Sequence, residues 1–309
     1  MDSIVIKNVT KKYGNKAAID NLDLNIKEGE FFCLMGPNGS GKTTLSSIIA
    51  SIRTQDSGTV EIYGKKPSMA KEMIGYLPQE NFSDSYLTGK ENLLFFARML
   101  GYKRKEAISI VNDLIDKIGL GEESSKRVGK YSGGMRKRLE LATILFPGTK
   151  ILILDEPTTG LDPSARRNFF GLIDSIKDET TTVLLITHIG SDAEHASMVG
   201  LMDKGRIIAG GTPDELKNNI NLSNVINVET SVKNDRIKDI LNSFNKFGEL
   251  QETDRGYKIY TAEIAEVIPG IVRAVEETGY KITQIGSEIP SLEDVFFKLT
   301  GKAIREVNE

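Results

Sequence analysis

The 309-residue sequence holds a single cysteine, Cys33, and only two histidines, His188 and His195. One thiol excludes an intramolecular disulfide framework and any zinc site built on cysteines. Long hydrophobic runs are missing too. Stretches such as 93–96 and 151–154 stop after four or five residues, far short of the roughly 20 that cross a bilayer. The opening residues, Met1-Asp2-Ser3-Ile4, have neither the basic nor the apolar part of a secretory signal. Nor is one sign of charge in excess. Lys and Arg number 40 against 43 Asp and Glu, and the residues beyond 222 carry 11 basic and 15 acidic side chains. The strongly basic surface of a non-specific nucleic-acid binder is therefore not expected, and no nucleic-acid partner is expected. What remains is an ordinary globular composition, 39% hydrophobic and 27% charged. Its length suits two domains or one large one. These absences predict a cytoplasmic protein that works at a membrane only through a partner.

The hydrophobic pattern divides the chain. Leu22, Leu24 and Ile26 alternate with Asp23 and Asn25 as in a half-buried strand. Residues 31–35 are apolar on both faces, which suits a buried parallel strand. A helix is predicted over 42–52 and a strand over 58–63. Residues 87–146 change character, with helical spacing over 91–100 and 107–118 and again after Met135 up to about Phe146. Strands at 151–154 and 183–187 then alternate with a helix at 165–177, and 198–202 and 206–209 form a hairpin around Lys204-Gly205. This is an α/β pattern with a parallel sheet and a helical insertion. Residues 218–224, rich in Asn and Ser, read as a linker. Beyond it come strand 225–228, helix 237–247, strands 250–253 and 257–260, helix 264–277 and strand 281–285, the β-α-β-β-α-β order of a ferredoxin-like domain. Such a unit should fold on its own. A last helix starts at Ser291, with Glu293 and Asp294 in its first turn.

Three motifs carry chemistry. Gly36-Pro37-Asn38-Gly39-Ser40-Gly41-Lys42-Thr43 fits G-x-x-x-x-G-K-[ST]. Glycine lets several backbone N–H groups turn toward one anion, and the helix that follows points its positive end there. Lys42 adds a charge for the β- and γ-phosphates, and the Thr43 hydroxyl suits Mg²⁺. Ile151-Leu152-Ile153-Leu154-Asp155-Glu156 is a buried strand ending in carboxylates. Asp155 sits at its tip as a metal-holding group, and Glu156 beside it can polarise an attacking water. Tyr131-Ser132-Gly133-Gly134-Met135 opens a helix with a hydroxyl and free N–H groups, a second anion site.

In order and spacing these motifs resemble the ATP-binding-cassette (ABC) ATPases. The resemblance covers about residues 1–220 and implies ATP and Mg²⁺ as ligands. It places Tyr13 against adenine, and Asn38, Gly39, Ser40, Gly41, Lys42, Thr43 and Thr44 on the phosphates. Gln79 takes the position of the glutamine that reaches Mg²⁺ and the attacking water. Leu161-Asp162 resembles the D-loop, and His188 the switch histidine that contacts the γ-phosphate, whereas His195 matches nothing and reads as surface. Catalysis would then fall to Glu156, His188 and Gln79, and metal binding to Thr43, Gln79 and Asp155. The signature commonly reads Leu-Ser-Gly-Gly-Gln. Here its ends are Tyr131 and Met135, and Ser132, Gly133 and Gly134 are intact.

The form Tyr-Ser-Gly-Gly-Met-Arg-x-Arg-Leu-Glu-Leu-Ala resembles the ATPase subunits of drug-resistance and other ABC-2-type exporters. So do Leu87-Thr88-x-x-Glu91-Asn92-Leu93 and Ser291-Leu292-Glu293-Asp294-Val295-Phe296. The resemblance implies a head-to-tail pair of cassettes with ATP between the P-loop of one and the signature of the other, and a separate transmembrane permease. The expected architecture is a P-loop NTPase ABC cassette over 1–220, with a helical subdomain at about 87–147. A small α+β ferredoxin-like domain over 225–309 would be regulatory or an assembly surface. A cassette acting on ribosomes or DNA is the alternative reading.

Overall fold

The computed structural model describes residues 1–219, 224–245, 250–261, 263–301 and 304. The chain opens with β1 (Asp2–Tyr13) and β2 (Lys16–Lys27), paired antiparallel, with Ile4, Ile6 and Val9 turned inward. β3 (Phe31–Met35) is buried at every position and feeds a glycine-rich loop into α1 (Lys42–Ile49). β4 (Ser57–Ile62) then pairs with the free edge of β1, giving a small antiparallel sheet of order β2-β1-β4. After β5 (Ile74–Leu77) come α2 (Gly89–Met99), α3 (Arg104–Lys117) and α4 (Gly133–Ala142). The second half of this body runs β6 (Ile151–Asp155), α5 (Pro163–Ile176), β7 (Thr182–Thr187) and α6 (Gly190–Ala193). It ends with β8 (Met198–Asp203), β9 (Arg206–Gly211) and α7 (Pro213–Asn219).

The central sheet has the order β5-β6-β7-β3-β8-β9, parallel except for β9. Period-two alternation splits its side chains between two cores. Cys33, Met35, Leu152, Leu154 and Leu185 pack on one face with Phe169, Phe170 and Ile173 of α5. Phe32, Leu34, Ile153 and Ile186 pack on the other with α1 and the antiparallel sheet. The three helices α2, α3 and α4 enclose a third core around Leu93, Val111, Leu114 and Leu139. Thr88 and Glu91 start α2 with a reciprocal capping box, and Asp162 caps α5 ahead of Pro163.

β10 (Asn224–Thr230), α8 (Asp235–Phe244), β11 (Gln251–Glu252), β12 (Gly256–Thr261), α9 (Ile264–Glu276) and β13 (Ile282–Glu288) form a second body. Its strand order is β11-β12-β10-β13, antiparallel throughout, as in the ferredoxin-like arrangement. α8 and α9 close its core through Ile237, Leu241, Val267 and Ile271. The final helix, α10 (Leu292–Thr300), is shared between the two bodies. Leu292, Val295 and Phe296 are fully buried in the α5-side core of the first body, whereas Phe297 stacks on Tyr260 of β12.

Several boundaries differ from expectation. The helix predicted over 42–52 stops at Ile49, because Ser51 turns left-handed (φ 60°) and the amides of Ile52 and Arg53 both fold back onto the Ser47 carbonyl. The helix predicted to reach Phe146 ends at Ala142. There the Thr143 hydroxyl bonds the Glu140 carbonyl and the chain tightens into i→i+3 turns. Asn218 lies in α7, not in a linker, and residues 220–223 fall outside the described residues. The predicted helix 237–247 is α8, which ends at Phe244, and residues 246–249 again lie outside the description. Three short elements, β5, α6 and α7, were not expected. Segments of four to seven residues carry too little periodicity to stand out.

Candidate functional site

The loop between β3 and α1 is built from glycines that cannot be replaced without strain. Gly39 (φ 78°) and Gly41 (φ 110°) occupy left-handed backbone, where a side chain is disfavoured. A Cβ at Gly36 would overlap the Met202 carbonyl, and one at Gly41 the Ala18 carbonyl. The result is a ring of backbone amides at the N-terminus of α1. Lys42 is buried beneath it, its Nζ donating to the carbonyls of Gly36 (2.7 Å) and Pro37 (2.8 Å). Burial drives its ammonium below the ordinary lysine value, against the pull of Glu156 and Asp155. The Ser40 hydroxyl is buried with no hydrogen-bond partner. A polyphosphate fits this cradle: it would satisfy open amides, a confined lysine and an orphaned hydroxyl together. The loop forms one wall of a cleft of about 320 Å³, with Asn38, Gly39 and residues 41–44 on one side and Tyr13, Lys16 and Ala18 on the other. Tyr13 is 45% exposed there, with Lys11 Nζ 5.7 Å and Arg53 Cζ 5.8 Å from its ring centroid.

The tip of β6 lies beneath the same loop. Asp155 is buried and accepts from Thr43 Oγ1 (3.2 Å), Ser46 Oγ (3.3 Å) and the Tyr76 hydroxyl (3.1 Å). Burial raises its carboxyl, and those three donors offset the rise only in part. Burial and the Asp155 charge push the Tyr76 phenol up to about 12, so it remains a donor. Glu156 follows in left-handed backbone (φ 48°), its amide fixed on the Ile186 carbonyl of β7. Its carboxylate gathers groups from three segments: Gln79 Nε2 at 3.0 Å, Thr159 Oγ1 at 3.3 Å, and His188 Nδ1 at 3.1 Å. Burial pushes this carboxyl up, but His188, Lys42 and Thr159 outweigh it and hold it below the ordinary glutamate value. Asp155 and Glu156 are thus adjacent in sequence and opposite in environment.

Ser132, Gly133 and Gly134 stand apart from that cluster. Ser132 caps α4, accepting from the Met135 amide at 3.2 Å. A Cβ on Gly133 would meet Leu161 at 3.4 Å and one on Gly134 would meet Ala165 at 3.1 Å, so this turn packs on the segment around Asp162. Asp162 itself accepts from the amides of Ser164 and Ala165, which holds its carboxyl below the usual range. His195 is exposed and stacks on Phe170, with ring centroids 4.1 Å apart.

Comparison with known proteins accounts for this arrangement. Residues 19–159 match the family described as ABC transporter, and residues 211–300 match the C-terminal domain of DrrA1-3-like ATP-binding proteins. The daunorubicin resistance ATP-binding protein DrrA3 of Streptomyces coeruleorubidus is 34% identical, over 97% of this chain and 96% of that protein. The chain belongs to the ABC transporter ATP-binding proteins. The Nod factor export ATP-binding protein I of Burkholderia orbicola is 32% identical, over 98% of both chains. Among solved structures, cbiO1 of Clostridium perfringens, part of the ABC transporter complex cbiONQ, superposes with a TM-score of 0.64 at 26% identity. That match covers 72% of this chain and 95% of cbiO1. The protein is accordingly an ATPase, an α/β P-loop cassette carrying a helical insertion and a ferredoxin-like C-terminal body.

Within this ABC ATPase two buried carboxylates stand out to which the sequence reading gave no role, Glu140 inside the extended signature run 131–142 and Asp192 outside every motif. Glu140 of α4 accepts from the Ser83 hydroxyl (2.8 Å) and from the amides of Phe82 and Ser83. It also lies 3.3 Å from Lys137 Nζ. Lys137 and Arg136 in turn donate to the Gln79 carbonyl and to Ser83, so the helix behind the signature clamps the segment after Gln79. Asp192 of α6 accepts from Thr158 and Thr187 and pairs with Arg166 Nε at 3.4 Å, tying the loops after Glu156 and His188 together. The run Arg136, Lys137, Glu140 shows helical i→i+3 and i→i+4 charge spacing that sequence alone displays. Nothing comparable marks Asp192.

Proposed function

We propose that this ATPase drives an exporter, and that the residues around Glu156 carry the hydrolysis. Lys42 and the amides of residues 38–44 hold the phosphates, and Tyr13 stacks on the base. Glu156, kept ionised, accepts a hydrogen bond from the attacking water and orients it, while Gln79 and His188 fix that carboxylate and face the terminal phosphate. The carrying observation is the convergence on one carboxylate of Gln79, Thr159 and His188 from separate loops, next to a glycine cradle with a buried lysine.

The residues present also suit Mg²⁺. Thr43, Asp155 and Gln79 would hold it. Thr43 Oγ1 and the Asp155 carboxylate lie 3.2 Å apart beside the phosphate cradle, an oxygen pair that suits an ion taking one or two protein groups and the substrate's phosphates. When bound, Mg²⁺ would neutralise charge developing on those phosphates.

Ser132, Gly133 and Gly134 expose a capped helix start away from the chain's own cradle. This supports a head-to-tail pair of cassettes in which they meet the nucleotide of the other copy. No helix among the described residues is long and apolar enough to cross a membrane. In this reading, supported by the resistance and export relatives, the transport path belongs to a separate permease and the ATPase sits on its cytoplasmic face. We place the permease contact at a groove of about 700 Å³ lined by Tyr76, Pro78, Phe82, Phe96, Leu100 and Tyr102. Exposed Phe95, Met99 and Leu100 give α2 and the turn after it an apolar surface, of the kind that marks a protein interface. The body after residue 224 is then a regulatory or assembly element.

Affinity capture of the tagged chain from solubilised membranes tests this reading. A polytopic membrane protein should co-purify with the wild type and be lost from Leu100→Asp, whereas recovery with ribosomes or DNA would contradict it.

A further inference from the structure

The loop that presents His188 is held by the C-terminal helix. α6 begins immediately after Ile189, a residue with no side chain that can cap a helix. The missing acceptor comes from a residue 103 positions later: Glu293 Oε1 accepts from the Gly190 amide. A Cβ built at Gly190 would overlap the Glu293 carboxylate. Glycine at 190 is therefore the residue that admits Glu293. The neighbouring bonds complete a rigid frame. The Ile189 amide donates to Thr187 Oγ1 at 3.0 Å, and Thr187 is fixed in turn on Asp192. His188 is thus suspended between an anchor at Thr187 and an anchor at Gly190, with its Nδ1 3.1 Å from Glu156.

The next residue of α10 faces the other way. Asp294 is fully buried and accepts from Lys258 Nζ (3.0 Å) and the Tyr260 hydroxyl (3.1 Å), both on β12 of the C-terminal sheet. Successive acidic side chains on one helical turn therefore grip the His188 loop and the C-terminal sheet.

We infer that Glu293 is a positioning residue for ATP hydrolysis, setting the His188 loop from the C-terminal body. The inference rests on the reading of His188 given above and extends it. Removing the acceptor should leave the phosphate cradle intact and let His188 wander. The effect therefore falls on turnover and not on nucleotide binding, because small misplacements of a reacting group are costly.

The test compares Glu293→Ala, Glu293→Gln, His188→Ala and the double variant in the full-length chain. Glu293→Ala should lower kcat about tenfold while KM for ATP and equilibrium ATP affinity stay within about twofold. Glu293→Gln keeps an oxygen acceptor and should recover most of the loss. In the His188→Ala background, Glu293→Ala should have no further effect. With only two histidines in the chain, the ring signal of His188 can be identified in the proton–carbon spectrum by its loss in His188→Ala. It should shift or broaden in Glu293→Ala and return in Glu293→Gln. An unmoved His188 signal overturns the inference, as does a kcat loss of equal size with and without His188. If His188→Ala turns over like the wild type, the catalytic reading of His188 fails, while the ring signal still decides whether Glu293 positions it.

Discussion

Glu156 shows how neighbours decide what a carboxylate does. Buried alone it would resist ionisation, as Asp155 does one residue earlier. The His188 imidazole reverses that, so the folded state favours the charged form. The linkage has a definite sign. A carboxyl held below its unfolded value stabilises the fold above that value, and the contribution fades as the pH drops through the lowered one. In His188→Ala the burial stays while a large opposing group leaves, so Glu156 should titrate at higher pH than in the wild type. The carboxyl carbon resonance of Glu156 followed through an acid titration reads this directly. A midpoint that does not move would show that His188 does not govern the carboxylate.

Elements were legible in the sequence to the extent that one physical signal dominated them. β3, β6 and β7 are continuous apolar runs, and a fully buried parallel strand reads that way. The glycine loop was legible because its backbone demands glycine, and the signature turn because a Ser at an N-cap is a local feature. Helix ends were harder. The stop of α1 depends on a left-handed Ser51, and that of α4 on a Thr143 hydroxyl bond, and neither residue is a strong breaker. The clamp of Glu140 on Ser83 spans 57 residues, and contacts at that separation leave no periodic trace. Ser132 allows a prediction on the element it starts. Ser132→Arg removes the acceptor for the Met135 amide, costing about 1 kcal/mol of α4 stability, and puts a bulky cation at the exposed helix start. The monomer should still bind ATP in equilibrium titration, while ATP-dependent dimerisation by light scattering and turnover are lost. Full activity would reduce the Ser-Gly-Gly turn to a helix cap.

At the scale of the molecule, the last helix changes the picture drawn from sequence. A separable C-terminal module was expected after a linker, with the amphipathic stripe Leu292–Leu299 packing against its own sheet or against the cassette. α10 takes the second course and inserts Leu292, Val295 and Phe296 into the core beneath the central sheet. The stripe at 292–299 was legible as amphipathic, but periodicity cannot say which of two bodies a helix covers. Phe296→Ala should therefore cost about 3–5 kcal/mol, read by urea unfolding through a probe on the ATPase body. A loss confined to the C-terminal sheet would contradict the shared core. A chain cut near residue 221 would for the same reason expose apolar core surface, so intact chains with point substitutions test the division of labour more cleanly.

The central claim is that binding and hydrolysis of ATP are carried by different groups of one site, Lys42 with the glycine cradle for the first and Glu156 for the second. ATP affinity and steady-state turnover measured side by side for Glu156→Gln and Lys42→Ala test it most directly. Glu156→Gln should bind ATP as tightly as the wild type, turn over at least about 10²-fold more slowly, and accumulate as an ATP-bound dimer. Lys42→Ala should lose affinity itself. Near-normal hydrolysis by Glu156→Gln, or unchanged ATP affinity in Lys42→Ala, would contradict the account.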